Sequence, residues 1–162
     1  MSDYCGFSIP DTVKHKMTGH TANVKCISFV GPSDDYIVSG SSDATLRLWQ
    51  TVTGEHLKTF EGHTSRIWDV CTTSTGEHLL SASADATVKL WSTEEGKCAR
   101  SFTGHAGDVY SVNMHPDGSH VVTGGYDQTV KLFDVRTGAV VKNFNGENSS
   151  CCNLNIGARE WY

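Results

Sequence analysis

Serine, histidine and aspartate are the parts of a hydrolytic triad, and this chain carries them as His20, Ser39 and Asp43. In such a triad the aspartate orients the imidazole, which takes the serine proton as the hydroxyl attacks. The set returns as His63, Ser81 and Asp85, and again as His105, Thr123 and Asp127. An active site needs one copy, whereas copies at a fixed period are a building element. No catalytic residue is therefore expected, and a hydrolase using Ser and His is the rival class. Eight His and six Cys also invite a metal centre. Zinc sites need closely spaced ligand pairs. His115 and His120 flank a Pro-Asp-Gly turn without a cysteine nearby, and Cys151-Cys152 is a vicinal pair in an irregular tail. Thr123-Gly124-Gly125-Tyr126 lacks the lysine and helix of a phosphate loop. Neither a metal nor a cofactor is expected.

The elements that position these residues also repeat. Gly-His occurs at 19–20, 62–63 and 104–105, in steps of 43 and 42. Asp43, Asp85 and Asp127 are 42 apart, as are Phe60, Phe102 and Phe144, and Gly54, Gly96 and Gly138. Residues 38–49 read VSGSSDATLRLW, 80–91 LSASADATVKLW and 122–133 VTGGYDQTVKLF. The one extra residue of the first step lies in the turn Gly31–Asp35. Each repeat shows four short alternating runs, in the first at 24–29, 36–40, 45–49 and 56–60. Gly and Asp punctuate the joins, as hairpins require. No helical period is sustained.

Units of 40 to 45 residues with four strands, an early Gly-His and a late Trp are the signature of a propeller blade. The chain resembles the WD40-repeat family over roughly residues 17–144. The resemblance implies an all-β fold: three four-stranded antiparallel blades forming an incomplete, open propeller. Expected boundaries are an extension at 1–11, an outer strand at 12–17, repeats at about 18–60, 61–102 and 103–144, and an irregular tail at 145–162. It also implies structural tetrads: His20, Ser39, Asp43 and Trp49; His63, Ser81, Asp85 and Trp91; His105, Thr123, Asp127 and Phe133. Phe133 has no N–H, so the third chain should end early and leave its blade less firmly fixed.

Partners of this family often bind the face at the mouth of the central channel. Carried over by position, that face comprises Asn23, Lys25 and Ser42; Arg66, Trp68 and Ala84; and Asp108, Tyr110 and Tyr126. The intervening Val24, Ile67 and Val109 should point into the blades. Trp, Tyr and Arg dominate binding hot spots, which favours a binding role; packing of Trp68 and Tyr110 against adjacent blades is the rival reading. Phe133-Asp134-Val135-Arg136 resembles the Trp-Asp-x-Arg box of WD40 substrate receptors in cullin-type ubiquitin ligases, which makes Asp134 and Arg136 candidates for adaptor docking. A solvated turn arginine is the plainer reading of so short a motif.

Composition bounds the rest. The chain has 162 residues, 38% hydrophobic and 19% charged, enough for a packed core and too apolar for wholesale disorder. A net charge of −5 argues against nucleic-acid binding through a basic patch. No run approaches a membrane span, and residues 1–6 lack a signal-peptide pattern. The scattered cysteines, with no Cys-x-x-Cys, suit reduced thiols in the cytoplasm or nucleus. The expected function is a non-enzymatic scaffold binding proteins or peptides, with no membrane partner. Substrate recruitment for a ubiquitin ligase is the alternative. Closed propellers typically use four to eight blades. Three therefore suggest a fragment of a longer propeller, with self-association through open blade edges.

Overall fold

A computed structural model describes residues 15–145. Twelve strands follow in chain order. The first sheet holds β1 (Val24–Val30), β2 (Tyr36–Ser41), β3 (Leu46–Gln50) and β4 (His56–Phe60). The second holds β5 (Ile67–Thr72), β6 (His78–Ser83), β7 (Thr87–Ser92) and β8 (Cys98–Thr103). The third holds β9 (Val109–Met114), β10 (His120–Gly125), β11 (Thr129–Asp134) and β12 (Val140–Asn145). Every neighbouring pair is antiparallel and in chain order, so each sheet is an up-and-down blade. No helix occurs among the described residues.

The turn between the second and third strand of each blade has one chemistry. Asp43, Asp85 and Asp127 each accept the backbone N–H and the hydroxyl of the threonine two residues on, the hydroxyl at 2.6–2.7 Å. These bonds hold Ala44, Ala86 and Gln128 at positive φ, between 61° and 67°. That conformation costs a residue with a Cβ about 1–2 kcal/mol, which the carboxylate bonds offset.

Blades pack face to face, and the core lies between them. Val38, Leu46, Leu48 and Phe60 of the first blade meet Ile67, Val70, Leu79 and Trp91 of the second. One repeat later, Leu80, Val88, Leu90 and Phe102 meet Val109, Val112, Val121 and Phe133. Phe60 stands edge-on to Trp91 at 5.9 Å, and Phe102 to Phe133 at 5.5 Å. Each such fully buried side chain contributes roughly 1.5–3 kcal/mol.

One expectation needs correction. Ile67 and Val109 are fully buried, but Val24 is 50% exposed, because no described segment packs on the first blade as that blade packs on the second. The outer strand expected at 12–17 lies partly outside the described residues, and residues 15–17 are not in a strand. The tail beyond Asn145 also lies outside the described residues.

The longer first turn rests on the next blade. A methyl group built on Gly76 would lie 2.8 Å from the Gly31 Cα and 2.9 Å from its nitrogen. Gly118, at the same repeat position, has nothing within 4 Å. Both have positive φ, 77° and 74°. Gly76→Ala therefore combines backbone strain with a backbone clash and should destabilise by about 2–4 kcal/mol; Gly118→Ala carries strain alone, about 1 kcal/mol. Urea unfolding of the two variants checks this, and equal losses would contradict the interblade contact.

Candidate functional site

Each blade contains a buried polar relay. In the first, the Trp49 indole N–H donates to Ser39 Oγ at 2.8 Å, and His20 Nε2 lies 2.8 Å from that oxygen. His20 Nδ1 lies 2.9 Å from Asp43 Oδ2. The second blade repeats this: Trp91 to Ser81 at 2.8 Å, Ser81 to His63 at 2.7 Å, His63 to Asp85 at 2.7 Å. The proton order follows from valence. Each serine oxygen accepts the indole N–H, so its own proton goes to Nε2; the carboxylate only accepts, so Nδ1 carries the imidazole proton. In the third blade His105 lies 2.7 Å from Thr123 Oγ1 and 3.0 Å from Asp127. Phe133 supplies no donor there, and the carbonyl of Lys131 lies 3.4 Å from the Thr123 hydroxyl. Ser81 and Thr123 are at most 1% exposed, so neither hydroxyl offers a nucleophile to a substrate.

Burial lowers the pKa of His63 and of His105, against the opposing pull of Asp85 and Asp127. Both imidazoles are thus kept neutral, as the relay requires. Burial alone would raise the three aspartates. Bonds from the turn threonine, the imidazole and the backbone N–H after the histidine outweigh it and hold Asp43 and Asp85 below the ordinary carboxylate value and Asp127 at about 2.

The second constellation is an aromatic cluster spanning all three blades. Lys25, Trp68 and Tyr110 occupy one repeat position on β1, β5 and β9. The rings of Trp68 and Tyr110 stand edge-on, centroids 5.6 Å apart. Lys25 Nζ and the Arg66 guanidinium each lie 5.5 Å from the Trp68 ring. The Trp68 N–H donates to Asp108 Oδ2 at 3.0 Å, tying the second blade to the third. Both aromatics are half-buried, whereas Lys25 and Arg66 are exposed. The other positions join through backbone: Ser42 N–H to the Asn23 carbonyl, Ala84 to Arg66, and Tyr126 to Asp108, at 2.7–2.9 Å. Tyr126 is 69% exposed, with its ring against Gly107.

Asp134 accepts the N–H and hydroxyl of Thr137 at 2.6 and 2.8 Å, so it caps its own turn, and Arg136 is exposed beside it. His115 pairs with Asp117 at 2.7 Å and His120 with the Ser119 hydroxyl at 2.6 Å; the two histidines do not meet in a common ligand set among the described residues. Sequence reasoning missed Asp69. Its Oδ2 accepts the Ser111 hydroxyl at 3.2 Å and the Val112 N–H at 3.0 Å, a second clamp between blades two and three. Its signal was a charge at the repeat position where Cys26 and Ser111 stand in the other blades. Burial, then Asp69, pushes the Cys26 and Cys71 thiols up to about 12, so both are poor nucleophiles.

A family model, "WD domain, G-beta repeat", matches residues 11–50, 54–92 and 96–134. With that match and three blades built on one relay, the chain belongs to the WD40 family. The last two matched units start one strand ahead of the blade, so each carries the outer strand of one blade and three strands of the next. Among curated proteins, nuclear distribution protein nudF of Aspergillus flavus is 37% identical over 62 residues, 38% of this chain and 13% of that protein. WD repeat-containing protein pop2 of Schizosaccharomyces pombe is 45% identical over 56 residues, 35% of this chain and 8% of that protein. Mitogen-activated protein kinase kinase kinase A of Dictyostelium discoideum is 36% identical over 61 residues, 38% of this chain and 6% of that protein. The match therefore spans only a small part of each relative's length.

The relay makes two predictions. Ser81→Ala strands the Trp91 N–H and the His63 acceptor together and should cost about 2–4 kcal/mol; Thr123→Val strands the His105 acceptor and should cost about 1–2 kcal/mol. Denaturant unfolding checks the order. The pH dependence has one sign. His63 and His105 titrate lower when folded, so the unfolded chain takes up protons first below about pH 6.5 and stability falls from there. The aspartates add stability above the unfolded value near 4, which is lost as pH falls toward the folded one, about 2 for Asp127. The unfolding temperature should be highest above about pH 7 and decline with acid, and His105→Gln should flatten the step near pH 6.

Proposed function

We propose that the chain is a non-enzymatic scaffold that binds a protein or peptide on the face formed by Lys25, Arg66, Trp68, Asp108 and Tyr110. The Trp68–Tyr110 pair carries this reading. Its rings are half-buried, the Trp68 N–H is fixed by Asp108, and two exposed cations flank the indole. A preorganised aromatic anchor with a polar rim is the composition of binding hot spots. WD40 repeats serve generally as interaction scaffolds, which supports the class and names no partner. The name of the nudF relative supports an intracellular setting, in the cytoplasm or nucleus. We also read the three blades as an arc of a larger ring; Val24 and Ile27, 50% and 71% exposed where their counterparts are buried, support this.

The test is capture of partners by the purified chain and by Trp68→Ala and Tyr110→Ala, with circular dichroism confirming the fold. Loss of an anchor costs about 2 kcal/mol, so affinity for the captured partner should drop about 30-fold. Folded variants that keep every partner would contradict the assignment. A fluorophosphonate probe decides against the hydrolase class: Ser39 and Ser81 should stay unlabelled, and labelling that one serine substitution abolishes would restore it.

A further inference from the structure

The junction between blades is built twice within the chain, and its two copies end differently at the strand ends far from Trp68 and Tyr110. Between the first and second blades that end is filled. Val30 is 3% exposed, and a methyl built on Gly76 would meet its Cγ1 at 3.3 Å as well as the Gly31 backbone. The Thr72 hydroxyl donates across the junction to the Phe29 carbonyl at 3.0 Å. Between the second and third blades, Thr73 stands in place of Val30, Gly118 in place of Gly76 and Met114 in place of Thr72. Thr73 turns its hydroxyl back to the His78 carbonyl of its own turn at 3.2 Å. Gly118 has nothing within 4 Å, and Met114 has no hydroxyl to donate. What is filled in the first junction is a groove of about 530 Å³ in the second. That size suits a bound ligand group.

The floor of the groove is apolar. Met114 and Val135, both half-buried, pack on the cluster that contains Leu90 and carry the second core out to the surface. The rim is acidic. Glu77 and Asp117 are exposed on the two turns that bound the groove, and none of the described residues lining it is Lys or Arg. Bonds from Ser119 and His115 hold the Asp117 carboxyl down at about 2, so it is charged at neutral pH.

We propose that this groove binds a peptide segment of a partner protein, which lays one Leu, Met or Phe side chain over Met114 and Val135 and sets an Arg or Lys beside it against Glu77 and Asp117. The apolar side chain takes the place that Val30 fills in the first junction. The cation answers the two carboxylates, and a segment with acidic neighbours is repelled. Both walls of the groove are blades of this chain. The site lies at the other end of β5 and β9 from the Trp68–Tyr110 pair and does not rest on the binding role proposed for that pair.

The test is titration of the whole chain, followed by its ¹H–¹⁵N spectrum, with a pool of acetylated octapeptides. The pool carries Leu, Met or Phe at a central position with Arg or Lys on either side; a second pool carries Glu on either side. The first pool should shift Thr75, Met114 and Gly118, and the second should bind about tenfold more weakly or not at all. Met114→Glu should weaken the first pool about tenfold. Glu77→Lys combined with Asp117→Asn, both on exposed turns, should reverse the preference between pools, and this pair carries the test if Met114→Glu fails to fold by circular dichroism. No shift from either pool, equal binding of the two, shifts that avoid the groove, or a folded Met114→Glu that binds as before overturns the proposal. Folded Trp68→Ala should bind the first pool unchanged; loss of binding there would overturn the groove and leave the aromatic face standing.

Discussion

In each blade one hydroxyl oxygen joins the second strand to the imidazole of the Gly-His loop, and through it to the carboxylate of the turn. These groups lie about twenty residues apart, so the relay fixes segments that local sequence leaves free. In a buried setting every member must be satisfied, because a stranded donor or acceptor costs as much as several apolar contacts supply. Satisfying all of them sets the register of the hairpin. Register then decides which side chains face the next blade, since a slip of one residue would turn each strand over. The buried rows that meet between blades are therefore downstream of the relay.

The second constraint is coverage. A blade has two apolar faces and cannot bury either alone. The middle blade is covered on both sides, and there the aromatic pairs Phe60–Trp91 and Phe102–Phe133 repeat. The proposed binding face depends on the same stacking. Trp68 is oriented by Asp108 of the next blade and flanked by Lys25 of the previous one. No single blade could assemble that cluster, which is how a repeat of small units gains a composite surface.

How much was legible varies by residue. The relays could be read because their members recur at one period, and their repetition separated them from a triad. The strands could be read from alternation and turn chemistry. The clustering of Lys25, Trp68 and Tyr110 needed family knowledge of which position meets the channel mouth. The Trp68–Asp108 bond was not legible, because it crosses between blades and does not recur; of the Asp69 clamp the sequence showed only a lone charge at its repeat position, and its partners across the interface were not legible. Val24 misled, because its position says that it faces a neighbouring blade while its exposure depends on whether one is there.

The direction of the proton relay decides whether each blade is held as described. The most direct measurement is the ¹⁵N spectrum of the histidine side chains at neutral pH, with His63 assigned through His63→Gln. The relay predicts a neutral ring protonated on Nδ1, with Nε2 as a bare acceptor. A ring protonated on Nε2, or on both nitrogens, would contradict it. The Ser81 hydroxyl could then not donate to the imidazole, and the blade would be held by something else.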